Sequence, residues 1–270
     1  MIRSLWIAKS GLDTQQTNLD VITNNLSNNQ TIAFKKVRPI FSDLLYQTLR
    51  SPTVDQTAGV SVPVGLEVGG GSRVAASQRI NTPGSLNVSQ NPLDIALSNI
   101  GYLQVEVSPG LTGYTRAGNL QTSLDPARPG NVILTTADGF PVLDTSGNRI
   151  SFAQDYSELV IAQNGIVSYR TAVAPNALTT GPIAHVLFGN PSGLASGGGG
   201  VFYQTSASGA PSVGQPNENG RASIVQYYTE LSNVNVAEEL VSLIAAQRAY
   251  EITTRAVSAS DQLLQKLGQL

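Results

Sequence analysis

His185 is the single histidine of this 270-residue chain, and imidazole is the side chain that moves protons near neutral pH. It stands in the apolar stretch "AHVLFG" with no acidic residue beside it, whereas a general base needs an orienting partner. The expectation is a strand histidine that is hydrogen-bonded or turned to solvent, not a base. Cysteine is absent, which removes thiolate nucleophiles, thiolate metal sites and disulfides together. Asp138, Asp144 and Asn148 carry oxygen ligands, but the spacing of a calcium loop is missing and turns account for them. Gly69-Gly70-Gly71-Ser72-Arg73-Val74 echoes a dinucleotide loop, yet Asn81-Thr82-Pro83-Gly84-Ser85 stands where a helix should run. No Gly-Lys pair occurs, so a phosphate-cradling Walker loop is excluded. No motif singles out a carboxylate pair for glycoside hydrolysis. We therefore expect no catalytic residue, no cofactor and no metal ligand.

Composition points the same way. Only 13% of residues are charged, against about 25% in an ordinary soluble domain. The surface must be built largely from Ser, Thr, Asn, Gln and Gly. A net charge of -2 leaves no basic footprint, so nucleic acid is not an expected partner. No run reaches the ~18 apolar residues of a membrane span. The opening "MIRSLWIAKSGLDTQQTNLD" lacks the apolar centre of a secretory signal, so a place outside the cytoplasm implies export without a cleaved signal peptide.

If function lies in shape and contacts, the elements that make those contacts are the two ends. From Val236 to Leu267 no Pro or Gly intervenes, Asn235 can cap, Glu238 falls at the third helical position, and Gly268 follows as a stop. One stripe of this helix passes through Val236, Leu240, Leu243, Tyr250, Val257 and Leu264. A second, about 100° round, takes Val241, Ile244, Ile252, Ala256, Ala259, Leu263, Leu267 and Leu270. So wide an apolar arc either wants partners on two sides or is wrapped in its own domain's core. At the N-terminus Leu5, Leu12, Leu19 and Leu26 sit seven apart, a short heptad seam. Gly11 weakens that helix as a free unit, and Asn24, Asn25, Asn28 and Asn29 are expected to close it.

Between the ends the period changes to two. "YLQVEV" alternates from Tyr102, Asn164-Gly165 and Asp138-Gly139 mark hairpins, and "AHVLFG" and "VFYQT" supply short strands. Ser51 to Ser72 reads as extended or loop-like, and Gly189 to Gly200 as a mobile loop.

The opening "MIRSLWIAKSGLDTQQTNLDVITNNLSN" and the closing "SNVNVAEELVSLIAAQRAYEITTRAVSASDQLLQKL" resemble the bacterial flagellar rod and hook family, most closely its distal-rod members. "DIALSNIGYLQVEV", "GYTRAGNLQTS" and "LTTADGFPVLD" resemble that family's β module. The chain departs from the family at Ala33, where a turn glycine is usual, and at Ser98 to Leu103, where an aromatic contact must repack.

The resemblance implies an α+β fold: paired long N- and C-terminal helices of coiled-coil type and a central β-rich domain. The implied division is 1–34 with 226–270 as a helical layer, 35–88 with 205–225 as an extended connection, and 89–204 as an outer β domain. Function is implied to be structural, a subunit of a straight helical tube that transmits torque. Its implied partners are further copies of itself, proximal rod and hook proteins at the tube ends, surrounding ring proteins, the rod cap and the type III export machinery. Leu5, Leu12, Leu19 and Leu26 would pack opposite Leu240, Leu243, Tyr250, Val257 and Leu264, the helices ordering as neighbours cover both stripes. Other axial roles in the family, and a β-rich cell-wall sugar-binding or hydrolase module, are the alternatives.

Overall fold

Asn235 opens the longest element of the chain. Its Oδ1 accepts the Ala237 N–H at 3.1 Å and its Nδ2 donates to Glu238 Oε1 at 3.2 Å, so the cap and the third-position glutamate act together. Helix α2 then runs Val236–Leu267, 32 residues, or on the order of 48 Å. The structure, a computed structural model, describes residues 2–50, 53–55, 60–62, 64–171 and 176–267. The expected stop at Gly268 lies outside the described residues.

Helix α1 spans Ile2–Ser27 and runs through Asn24 and Asn25, which were expected to close it. Asn25 is tolerated there because its amide is engaged elsewhere: Nδ2 donates to the Val37 carbonyl at 2.8 Å and Oδ1 accepts the Val37 N–H at 3.0 Å. A side chain held in that way no longer competes for the helix's own backbone.

The chain is α+β and separates into two compact units. The first comprises residues 1–27, 37–78 and 235–270. Here α1 and α2 lie against each other and run antiparallel. Asn25 Nδ2 donates to Glu239 Oε2, and a Cβ on Gly11 would meet Thr253 Cγ2 at 3.5 Å, so the same fourteen-residue step separates both contacts on each helix. Strand Val37–Asp43 pairs with Ser72–Arg79, and Tyr46–Arg50 with Leu66–Gly69. Ser51 to Ser72, expected to be extended or loop-like, thus contributes strands, including the pair Thr53–Asp55 and Val60–Val62. Gly71 is required where the second ribbon meets α1: φ is +112°, and a Cβ would sit 2.1 Å from Ser10 Oγ.

The second unit comprises residues 28–36 and 79–234. Its largest sheet has six antiparallel strands in the order Ala195–Gly198, Val201–Tyr203, Leu111–Thr115, Tyr102–Ser108, His185–Leu187 and Ser212–Gly214. Two three-stranded sheets join it, and Asn164-Gly165 forms the expected hairpin between Tyr156–Ile161 and Ile166–Thr171. The larger core cluster is mostly aliphatic, with Leu103, Val105, Leu134, Val142, Val167 and Ile183 among its buried members, and a smaller one gathers Tyr102, Tyr114, Phe188 and Phe202. The expected mobile loop at 189–200 instead holds a 3-10 turn, Pro191–Gly193, and the edge strand Ala195–Gly198. Glycine gives no side-chain alternation by which such a strand can be read.

At two positions the backbone accepts the cost of a side chain at positive φ. Ala33 lies at φ +57° with its side chain buried, a conformation worth about 1–2 kcal/mol less for a residue bearing Cβ. Tyr227 does the same at φ +68°, between strands Ile224–Gln226 and Tyr228–Glu230. Tyr102 lies edge-on to Phe188 and Phe202, its ring buried.

Candidate functional site

The expected packing residues fall on two kinds of surface. Leu5, Leu12, Leu19 and Leu26 of α1 are all half-buried, as are Leu243 and Val257 of α2. Leu240 and Tyr250 are exposed. The side chain of Leu264, with Leu263, Leu267 and Leu270 of the other stripe, lies outside the described residues. Among the described side chains of α2 the deepest are Glu239 and Ala246, and Thr253 and Ser260 continue the same seven-residue step while half-buried. Small and polar residues line that step because they let two backbones approach, which leaves Leu243 and Val257 on its flank.

The described residues of the second stripe of α2, from Val241 to Ala259, are uncovered within the chain. Val241 is 68% exposed and Ile252 66%, with Ile244 between them. Leaving these three large aliphatic side chains half to two-thirds exposed forgoes about 1–2 kcal/mol each relative to full burial. A row of this kind on one helix marks a contact surface.

The polar residues that hold the second unit together were not expected from sequence. Glu230, almost wholly buried, accepts from Arg116 Nε at 2.9 Å and Nη2 at 2.7 Å on Oε2, and from Lys35 Nζ at 2.5 Å and the Gly84 N–H at 2.9 Å on Oε1. Arg116 Nη1 continues to the carbonyls of Asn99 and Gly101. Burial and the Arg116 cation lower the Lys35 pKa, while Glu230 opposes that shift. Nearby, Asn233 Oδ1 accepts the Lys36 N–H at 2.7 Å, and its Nδ2 donates to the carbonyls of Ile80 at 2.9 Å and Thr82 at 3.1 Å. In a chain so poor in charge, a glutamate in the strand Tyr228–Glu230 was the available signal.

His185 is neither hydrogen-bonded nor turned to solvent, contrary to expectation. It is fully buried, and neither ring nitrogen has a hydrogen-bond partner among the described residues. Its short strand lies inside the six-stranded sheet, and Gly101, at φ +150°, gives it room: a Cβ there would sit 2.0 Å from Nε2. Burial first, then the cations of Arg221 and Arg116, push its pKa down to about 4. A neutral ring without an acid or nucleophile beside it cannot run acid–base chemistry.

A cleft of about 410 Å³ is lined by Thr31, Thr115, Asn119, Asp138 and Gly200 among others, and Asp138 is the one ionisable residue in that lining. A lone carboxylate offers no acid/base pair. Asp144, by contrast, serves its own turn, Oδ1 accepting the N–H groups of Ser146 and Asn148. Among the described residues no group of three or more His, Asp or Glu is placed to hold a metal ion. No helix among them is long and apolar enough to cross a membrane.

Three family patterns match the chain in order. "Flagella basal body rod protein" covers residues 5–35, "Flagellar hook protein FlgE/F/G D1 domain" residues 96–169, and "Flagellar basal body rod FlgEFG protein C-terminal" residues 225–270. The chain belongs to the flagellar basal-body rod family. Its relatives include the flagellar basal-body rod protein FlgG of Buchnera aphidicola subsp. Acyrthosiphon pisum, 41% identical over 270 residues and the full length of both chains. That of Caulobacter vibrioides is 37% identical over 270 residues, covering all of this chain and 99% of the relative. That of Bacillus subtilis is 32% identical over 273 residues, again covering 100% and 99%. No matched family description names a catalytic activity.

Proposed function

We propose that the chain is a structural subunit of the flagellar distal rod, a straight tube that carries motor torque to the hook. The observation that carries this reading is the uncovered stripe Val241, Ile244 and Ile252 on a long helix already paired with α1, in a chain similar to FlgG rod proteins from end to end. Copies of the same chain are the natural cover, because a helical polymer repeats one contact.

In this reading the helix pair supplies an inner layer of coiled-coil type. The matched fourteen-residue step between the Asn25–Glu239 and Gly11–Thr253 contacts supports it, since fourteen residues are two heptads. Leu5, Leu12, Leu19 and Leu26, with Leu240, Leu243, Tyr250, Val257 and Leu264, are the proposed subunit-packing residues. The division into 1–34 with 226–270, 35–88 with 205–225, and 89–204 is a proposal about layering in the tube. Scarce charge suits stacked copies, which repel less. Proximal rod and hook proteins at the ends, ring proteins outside, and the rod cap and type III export machinery during assembly are the proposed partners.

The hook is the second reading, because the pattern over 96–169 is described as that of a flagellar hook protein. Electron microscopy of basal bodies separates the two: a strain lacking the chain should lose the distal rod, while a hook subunit's loss would leave the rod complete.

A further inference from the structure

The chain passes between its two units four times, at 27/28, 36/37, 78/79 and 234/235, and force handed from one unit to the other along the backbone runs through these four links. On the helical side one side chain gathers three of them. Asn25 belongs to α1 just before 27/28, exchanges two hydrogen bonds with Val37 just after 36/37, and donates to Glu239 in the first turn of α2 after 234/235. On the β side one side chain does the same. Asn233 stands just before 234/235, accepts from Lys36 beside 36/37, and donates to Ile80 and Thr82 beside 78/79. The remaining link, 27/28, is reached through Ala33, whose N–H donates to the Glu230 carbonyl at 2.8 Å.

We infer that Asn25 and Asn233 are paired clasps whose role in the rod is mechanical: each makes the crossing segments share a pulling force instead of taking it one at a time. This rests on the rod reading above and assigns its torque transmission to particular residues. Hydrogen bonds on adjoining segments open together only when all are strained at once, so removing the side chain that joins them raises the rate of forced opening. Asparagine fits the task because one amide both accepts and donates, and so can bond an N–H of one segment and a C=O of another.

The test uses the full chain in its own bacterium, with Asn25→Ala, Asn233→Ala and Asn235→Ala compared. Asn235→Ala removes a helix cap whose side chain, although it adjoins the 234/235 link, bonds Ala237 and Glu238 in the first turn of α2 and joins no two links, so it controls for stability alone. Rods are scored by electron microscopy of basal bodies, and swimming speed is read in dilute and in viscous medium. The clasp variants should build rods and swim at wild-type speed in dilute medium, then slow at least about threefold more than Asn235→Ala as viscosity rises, because forced opening follows the unfolding rate. A load dependence equal to that of Asn235→Ala overturns the inference. Should the alanine variants build no rods, Asn25→Ser and Asn233→Ser replace them. Absence of rods there too, with Asn235→Ala rods present, would assign both residues to folding alone and equally overturn it. Normal rods in a strain lacking the chain would instead sink the rod reading.

Discussion

Arg116 donates twice to a single oxygen of Glu230, at 2.9 and 2.7 Å, which leaves Oε1 for Lys35 and the Gly84 N–H. One carboxylate thus balances two buried cations. Removing it strands both, so Glu230→Ala should cost about 3–5 kcal/mol. Lys35→Met, which deletes the surplus cation, should cost clearly less. Urea unfolding of the soluble chain measures the order, and a Lys35→Met loss equal to that of Glu230→Ala would contradict this charge balance.

Of the four described non-glycine residues at positive φ, Ala33 and Tyr227 lack the asparagine side chain that tolerates it. Tyr227→Gly should stabilise by about 1 kcal/mol through relief of a positive φ, its ring being half-exposed and giving up little packing, whereas Ala33→Gly also gives up a buried methyl worth about 0.8 kcal/mol and should change stability little. For a chain of this size the Tyr227→Gly gain is a rise in Tm of about 2–4 °C. A fall in Tm for Tyr227→Gly would mean that its ring makes contacts worth more than the strain.

Gly11 has the opposite expectation. A Cβ there would meet Thr253 Cγ2 at 3.5 Å, an ordinary contact. Gly11→Ala should therefore gain most of the helix-propensity difference, about 1 kcal/mol. A larger side chain such as leucine should push the helices apart, readable as loss of thermal stability.

His185 sets a pH dependence. Its folded pKa is depressed to about 4 from an ordinary 6.5, so between these values the unfolded chain binds a proton that the folded chain refuses. Its contribution is intact above about pH 6.5 and is lost as the pH falls toward 4, on the order of 3 kcal/mol in all. Unfolding free energies measured across that range should show this acid limb, and His185→Leu should flatten it. An unchanged limb would assign the loss to carboxylates.

Local pattern carried much of this fold in the sequence. Asn235 and Glu238 start α2 as their types require, and Asn164-Gly165 turns a hairpin because glycine there takes φ +81°. What stayed hidden depends on distance along the chain. Lys35 and Arg116 lie 195 and 114 positions from Glu230, and no periodicity links them. Asn25 read as a helix end because its neighbours are asparagines, and only Val37 and Glu239 explain why it stays inside. His185 read as an ordinary strand residue, since a three-residue strand shows too little alternation to reveal that it is wholly buried. Likewise, the step Glu239, Ala246, Thr253, Ser260 escaped notice because its residues are not large and apolar, although two of them are the most deeply buried among the described side chains of α2.

Copies of this chain are proposed to build the rod through the uncovered face of α2. Electron microscopy of basal bodies should be made from cells whose sole copy carries Val241→Glu with Ile252→Glu, beside wild type. Both side chains are exposed, so the variant subunit should fold and unfold in urea as wild type does. The account predicts straight, full-length rods from wild type and none, or only a shortened stub, from the variant. Full-length rods built from that variant would contradict it.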